Sequence, residues 1–205
     1  MAARNGDWAL KAHDVPAPCP QRPVKIVVTG PFAAGKTTLI KTISQVAVLG
    51  TDREVTDETR VIKRSTTVAM DFGKITVDGG VCLHLFGTPG QQRFDVMWEI
   101  LSEGMVAFIL LVRADEATSL TEASSILETF RGFADVPFVV GVTHAEDVPG
   151  PREGTLEAVR HSLGVGHTVP VVICDPRSRD DVKEILLSAL MSVLARLSPD
   201  EAGVS

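Results

Sequence analysis

The sequence predicts an α/β protein, a three-layer sandwich in which helices cover both faces of a mostly parallel, six-stranded sheet. Short β-branched or apolar runs alternate with amphipathic stretches, which is typical of strands joined by crossover helices. Two runs, Met105–Val112 and Pro137–Val142, are continuously apolar, which indicates strands buried on both faces. A turn at Asp78-Gly79-Gly80 joins two other strands as a hairpin, so one strand is expected to be antiparallel.

The elements follow from hydrophobic periodicity. In chain order, the expected strands are Val24–Thr29, one within Thr67–Val77, Val81–Phe86, Met105–Val112, Pro137–Val142 and Val169–Cys174. The expected helices are Lys36–Val48, Thr118–Phe133, Arg152–Leu163 and Arg179–Leu197. A further apolar stripe at helical spacing indicates either core packing or a partner-binding surface, and it consists of Phe94, Met97, Trp98 and Leu101.

One folded domain is expected over residues 24–197. Before it, alternating prolines favour an extended, solvated tail over residues 1–23, or an arm that binds a partner; they are Pro16, Pro18, Pro20 and Pro23. Residues 198–205 are expected to form a short C-terminal tail.

Composition excludes several function classes. The 205 residues include 20 Lys plus Arg and 26 Asp plus Glu, for a net charge of −6, which disfavours general nucleic-acid binding. Tyrosine is absent and aromatic residues make up 5%, so base-stacking platforms are not expected. The three cysteines, Cys19, Cys82 and Cys174, form no CxxC pair, and no signal peptide, membrane span or lipidation motif is found. These features predict a cytoplasmic protein that partners alone recruit to a membrane.

A phosphate-binding loop is the strongest signal. Strand Val24–Thr29 leads directly into Gly30-Pro31-Phe32-Ala33-Ala34-Gly35-Lys36-Thr37, which is GxxxxGKT in its required context between a strand and a helix. The glycines let amide groups point at phosphate oxygens, and the helix dipole adds positive potential. Lys36 can reach the terminal phosphates, and the Thr37 hydroxyl can bind Mg²⁺. The fold is therefore expected to be of the P-loop NTPase type, with a nucleotide bound by Gly30, Ala33, Ala34, Gly35, Lys36, Thr37 and Thr38.

Two downstream segments carry a family resemblance. The first is Ser65-Thr66-Thr67-Val68-Ala69-Met70-Asp71-Phe72, and the second, after a strand, is Leu85-Phe86-Gly87-Thr88-Pro89-Gly90-Gln91-Gln92-Arg93-Phe94. Together with the phosphate loop, they resemble the Ras-like small GTPase superfamily. The Pro89-Gly90-Gln91 triplet is closest to the bacterial MglA-type GTPases and to the GTPase component of actinobacterial conservons. The resemblance covers about residues 24–197.

The resemblance implies roles for both segments. Thr67, with Thr66 as the fallback, is implied to bind Mg²⁺ together with Thr37 and to sense the terminal phosphate. The Gly90 amide is implied to bind that phosphate, and Gln91 to orient the attacking water. An arginine that neutralises transition-state charge would come from Arg60, Arg64 or Arg93, or from a partner.

The second segment departs from the family at Gly87. This glycine occupies the place of the usual Asp that holds Mg²⁺ through water, although the MglA-like branch also tends to lack that Asp. Weaker Mg²⁺ retention is therefore expected, unless another carboxylate such as Asp71 takes its place.

The base-binding motif is degenerate. In the family, an Asn-Lys-x-Asp motif follows the fifth strand; here Thr143 takes the Asn place, His144 takes the Lys place, and the chain continues Ala145-Glu146-Asp147. Asp147 is the preferred guanine-binding carboxylate because its shorter arm precedes Val148 as in the family's Asp-Leu, and Glu146 is the alternative. After the last strand, the Cys174-Asp175 backbone is implied to contact the guanine oxygen, while Asp175 alternatively braces the loop or caps the final helix.

The resemblance thus implies a regulatory GTPase. Such a protein binds GTP or GDP with Mg²⁺ and hydrolyses GTP slowly, with Lys36 and Gln91 as catalytic residues, and its nucleotide state switches partner binding. The implied partners are a Roadblock/LC7-type protein and a sensor-kinase-like complex. The alternative is a nucleotide-binding scaffold with negligible hydrolysis, which the substitution at Gly87 favours.

Overall fold

The structure, a computed structural model, describes residues 23–46, 70–77, 81–89 and 95–198. In these ranges the strands are β1 (Val24–Thr29), β2 (Asp71–Thr76), β3 (Cys82–Gly87), β4 (Ala107–Arg113), β5 (Phe138–Thr143) and β6 (Val171–Ile173). The helices are α1 (Lys36–Ile43), α2 (Asp95–Ser102), α3 (Ala117–Phe133), α4 (Arg152–Leu163) and α5 (Arg179–Leu197). A short 3-10 helix covers Ala145–Asp147.

The described strands form one six-stranded sheet in the order β2-β3-β1-β4-β5-β6. Four neighbouring pairs are parallel, and β2 alone runs antiparallel, against β3. This topology confirms the predicted fold class. Because β1, β4, β5 and β6 are parallel, the loops that follow them lie at the same edge of the sheet, where α/β proteins bind their ligands.

Side chains alternate between the two faces of the central strands, as the two-residue period of a strand requires. In β4, Ile109 and Leu111 belong to a core cluster with α1 and α5 residues, whereas Phe108, Leu110 and Val112 pack in a second cluster with residues of α2, α3 and α4. The β4 residues of both clusters are fully buried. The sheet therefore has helices packed on both faces.

Helix α1 is shorter than the Lys36–Val48 span that periodicity predicts. It ends at Ile43, because Ser44 adopts an extended conformation. The Gln45 amide then donates to the Lys74 carbonyl at 2.8 Å, and the Gln45 side chain accepts from the Thr76 amide at 2.9 Å. Hydrogen bonds to the outer strand β2 thus replace the helical hydrogen bonds that would continue α1.

Strand β6 is also shorter than predicted. Its paired residues begin at Val171, because Pro170 has no amide to donate and the Val169 carbonyl accepts from the Arg160 side chain at 2.9 Å. The Cys174 amide still donates to the Val142 carbonyl at 2.9 Å. The turn after β6 therefore starts from a fixed point beside β5.

The apolar stripe around Trp98 packs mostly inward. Trp98 and Leu101 are buried, and the Trp98 indole donates to the Pro89 carbonyl at 3.1 Å. Core packing explains these two residues, while Phe94 lies outside the described residues. No helix in the described part of the chain combines the length and apolar character that a membrane span requires.

Candidate nucleotide-binding site

The phosphate loop has a backbone shape that its glycines permit. Gly30 has φ of +140°, and a Cβ there would lie 2.2 Å from the Leu111 carbonyl oxygen, so no side chain fits. Gly35 has φ of +97°, and its α-carbon faces the ring of Pro176, whose Cγ would lie 2.6 Å from an added Cβ. Ala33 adopts a left-handed conformation with φ of +59°. The loop is therefore held in a tight curve against both β4 and the turn after β6.

Helix α1 begins at the loop with its amide groups open. Gly35 precedes the first turn, and no side chain accepts a hydrogen bond from that turn at the capping position. The first-turn amides of any helix lack intrahelical partners, and they attract anions through the helix dipole. Thr37 and Thr38 follow in this turn, partly buried and exposed respectively. This end of the helix has the geometry of a phosphate site.

Lys36 lies folded into the loop. Its side chain is nearly buried, and the ammonium donates to the carbonyl oxygens of Gly30 at 2.8 Å and Pro31 at 2.6 Å. Burial lowers the pKa of Lys36 from its usual value to about 8, and the negative charge of Asp71 opposes the shift. A polyanion in the loop would favour the charged form of this lysine.

A carboxylate stands beside Thr37 despite the glycine at position 87. Asp71 lies directly opposite Gly87 across the β2–β3 pair, and the Thr37 hydroxyl donates to Asp71 Oδ2 at 2.5 Å. An added Cβ at Gly87 would lie 3.0 Å from Asp71 Cβ and 2.9 Å from Ile40 Cδ1. Asp71 therefore fills the space that a side chain at position 87 would need, and it brings an oxygen ligand next to Thr37.

The predicted base-binding segments border a cavity of about 230 Å³. Three loops line it: the phosphate loop, the segment after β5 and the turn after β6. The lining residues are Ala33, Gly35, Thr38, His144, Glu146, Asp175, Pro176 and Arg177. The structure thus brings the predicted phosphate-binding and base-binding segments into one continuous pocket.

Of the two candidate carboxylates, Glu146 and not Asp147 lines this cavity. The Asp147 carboxylate lies 3.4 Å from His144 Nδ1, in a cluster of possible ligand atoms with Asp115. Asp115 already pairs with Arg113 at 2.6 Å, so this cluster is explained as an ion-pair network. The arrangement therefore favours Glu146 over Asp147, the reverse of the preference from sequence.

Thr143 lies beneath the phosphate loop and contacts its main chain. It is fully buried, and its hydroxyl lies 3.4 Å from the Ala34 carbonyl and 3.3 Å from the Val112 carbonyl. Its partners are thus main-chain groups of the phosphate loop and of β4. His144 begins the 3-10 helix in a left-handed conformation with φ of +56°, which turns the chain toward the cavity.

The turn after β6 is tied together by Asp175. Its Oδ1 accepts from the Arg177 amide and from Arg177 Nε, both at 2.9 Å, and the Arg177 side chain holds the pKa of Asp175 below its usual range. Ser178, not Asp175, caps α5 and accepts from the Asp181 amide at 3.3 Å. Asp175 is therefore a loop brace. Burial raises the pKa of the Cys174 thiol to about 12, so it stays a neutral core residue.

Two residues of this cavity have no role in the sequence-based assignment. Pro176 contacts Gly35, and its carbonyl accepts from the Thr42 hydroxyl at 2.7 Å, while Arg177 stands at the cavity mouth. The Asp175-Pro176-Arg177 sequence is a turn signal that indicates a compact loop, but it does not indicate where the arginine points.

The predicted switch residues cannot be placed in the same way. Thr67 with its fallback Thr66, Gly90, Gln91 and the arginine candidates Arg60, Arg64 and Arg93 all lie outside the described residues. The described chain nevertheless reaches Pro89, where Trp98 holds the carbonyl oxygen.

Comparison with known proteins places the chain in a family. A family model described as conserved hypothetical ATP binding protein matches residues 49–196, more than two thirds of the chain. The chain belongs to this family. The matched segment starts beyond the phosphate loop and includes the loops after β5 and β6. Membership of an ATP-binding family supports nucleotide binding.

One curated relative is an uncharacterized protein of Methanocaldococcus jannaschii. It is 36% identical over 81 residues, which cover 40% of this chain and 45% of that protein. The chain therefore matches less than half of that relative's length.

Proposed function

We propose that this protein is a regulatory GTPase that binds GTP or GDP with Mg²⁺, hydrolyses GTP slowly and changes its partner binding with nucleotide state. One observation carries the proposal: the phosphate loop around Lys36 and the carboxylate of Glu146 border the same pocket. A nucleotide whose phosphates lie at the start of α1 would direct its base toward Glu146. A glycine-rich turn without a ligand would not explain a carboxylate at the far end of the same pocket.

Glu146 favours guanine over adenine. The edge of guanine presents two adjacent N–H donors, which a carboxylate accepts as a pair, whereas adenine would leave one carboxylate oxygen facing a lone pair. An unpaired polar group in a binding pocket is strongly penalised. The family description names ATP, so adenine nucleotides are the essential competitor in any test.

Thr37 and Asp71 are the residues that would hold Mg²⁺. They offer a hydroxyl and a carboxylate oxygen within 2.5 Å of each other at the phosphate end, and hard oxygen ligands of this kind suit the ion. Bound Mg²⁺ neutralises phosphate charge. Asp71 would replace the carboxylate that Gly87 lacks, and Thr67 is the further ligand that the resemblance implies.

The switching part of the proposal rests on the family resemblance. Gln91 would orient water, and the terminal phosphate would order the segments around Thr67 and Gly90. Pro89 directly precedes Gly90, and its carbonyl oxygen accepts a hydrogen bond from the buried Trp98 indole. We propose a Roadblock/LC7-type protein as partner, within a sensor-kinase-like complex that recruits the protein from the cytoplasm to the membrane.

The deciding experiment for nucleotide identity is mass analysis of the nucleotide that remains bound through purification, followed by displacement with GTP, GDP, ATP and ADP. We expect guanine nucleotides to be retained and to compete far better than adenine nucleotides. Equal competition by ATP would overturn the guanine assignment and leave an ATP-binding protein, as the family description states.

Hydrolysis is tested separately by single-turnover measurement on Gln91→Leu. We expect a slower rate with unchanged GTP affinity, and Gln92→Leu, the adjacent residue of the same type, is the matched control. A wild-type rate no faster than that of Gln91→Leu would favour the second candidate, a nucleotide-binding scaffold with negligible turnover, which the glycine at position 87 supports.

A further inference from the structure

The main-chain amides of the turn after β6 are all engaged or missing. The Cys174 amide donates to the Val142 carbonyl, and the Asp175 amide donates to Asp181 Oδ2, each at 2.9 Å. Pro176 has no amide, and the Arg177 amide donates to Asp175 Oδ1 at 2.9 Å. A backbone contact from Cys174-Asp175 to a base is therefore not available in this arrangement.

The side chain of Arg177 offers the donors that the backbone lacks. It is 71% exposed and lines the cavity mouth. A guanidinium carries five N–H donors in a planar fork, and Asp175 engages Nε at 2.9 Å and Nη2 at 3.0 Å. Three N–H groups therefore remain for a ligand while Asp175 holds the fork in place.

Glu146 lies beside the Arg177 guanidinium but does not form a hydrogen bond with it. Its Oε1 is 3.6 Å from Arg177 Nη2, an ion pair longer than a hydrogen bond. One wall of the cavity thus presents hydrogen-bond donors next to acceptors. A base whose edge faces both groups can bond to both without breaking the Asp175–Arg177 pair.

We propose that Arg177 recognises the carbonyl group at position six of guanine, in place of a main-chain amide, while Glu146 accepts from the ring N–H and the amino group. This inference rests on the proposed guanine-nucleotide function and assigns its base specificity to a pair of side chains. Adenine carries an amino group at position six, so it would direct donors at the Arg177 donors. Both side chains therefore discriminate in the same direction.

The test uses the full chain and three diphosphates: GDP, inosine diphosphate, which lacks the amino group, and 6-thio-GDP, whose sulfur is a weak acceptor. Arg177→Met keeps an unbranched apolar stem and removes the guanidinium donors. We expect it to weaken GDP and inosine diphosphate binding about tenfold each and 6-thio-GDP binding little, by calorimetry. Glu146→Gln is expected to weaken GDP more than inosine diphosphate.

The matched control is Arg179→Met. It removes the same charge two residues further along the chain, from a side chain that does not line the cavity. Thermal unfolding of each variant checks that the fold is kept. An equal loss for GDP and 6-thio-GDP in Arg177→Met, or no loss at all, would overturn the role of Arg177 while the guanine preference stands. Wild-type binding of ADP as tight as that of GDP would instead remove the proposed function itself.

Discussion

At the phosphate end of the site, open main-chain amides and a nearly buried lysine face the ligand position, whereas at the base end the amides are engaged and exposed side chains face it. The first arrangement depends on backbone curvature at Gly30 and Gly35, which side chains cannot replace. The second depends on Glu146 and Arg177, which many substitutions could alter. In the proposed function, phosphate recognition would thus depend on the fold of the main chain, and base recognition would depend on a few replaceable side chains.

The largest effect is expected at Lys36. Replacing it with alanine removes a buried cation, so nucleotide affinity should fall at least about a hundredfold, because bonds to charged groups are the strongest available there. Calorimetry with Mg²⁺ and GDP measures the change. The control is Lys41→Ala, which changes an exposed lysine of the same helix and should leave nucleotide affinity unchanged. Undiminished nucleotide binding by Lys36→Ala would show that the phosphate end does not depend on this buried lysine.

A pH dependence should also mark the phosphate end. The folded protein holds the pKa of Lys36 at about 8, below its usual value of 10.5, so the unfolded chain binds more protons between these limits. The ligand-free protein should therefore gain about 2 kcal/mol over its Lys36→Met variant when the pH rises from about 7.5 to 9.5. Urea unfolding of both proteins measures it, and a constant difference would show that Lys36 is not desolvated.

The carboxylate beside Thr37 is the next target. Asp71→Asn should weaken the Mg²⁺-dependent part of nucleotide affinity about tenfold, since it removes a negative oxygen ligand. Titration with and without EDTA separates this part from direct phosphate binding. An unchanged Mg²⁺ dependence in Asp71→Asn would exclude Asp71 as a Mg²⁺ ligand.

The smallest effect is expected at Thr143, where the two ends meet. Thr143→Val keeps the shape but removes the hydroxyl near the Ala34 and Val112 carbonyls, and should cost about 1 kcal/mol of stability. Denaturant unfolding measures this loss. Base preference should not change, because the buried hydroxyl is directed at main-chain groups; a variant that changes the ratio of GDP to ADP affinity would give Thr143 a direct role in base recognition.

The sequence predicted the fold well, and it also predicted a curved loop between β1 and α1, because both features depend on local patterns. Alternating apolar runs predict parallel strands, and GxxxxGKT demands a curved loop wherever a strand precedes it and a helix follows. Helix α1 ends at Ile43, earlier than predicted, since periodicity does not register the hydrogen bonds that Gln45 makes with β2.

The base end was harder because it depends on tertiary placement. Glu146 and Asp147 are adjacent in sequence, and the 3-10 helix decides which of them faces the cavity. The absence of free amides between Cys174 and Arg177 depends on Asp181 and Val142, which are distant in sequence or belong to another strand. Asp71 was suggested from sequence only as a replacement for the missing carboxylate; its position opposite Gly87 required the strand register.

Pro176 links the two ends mechanically. Its ring packs against Gly35 and its carbonyl accepts from Thr42 of α1, so the loop at the base end cannot move without disturbing the loop at the phosphate end. The spacing between the two recognition points is consequently set before any ligand arrives. If the proposed function holds, the pocket should select for the length of the nucleoside, and it should reject ligands in which a longer or shorter sugar than ribose separates the base from the phosphates, whichever base they carry.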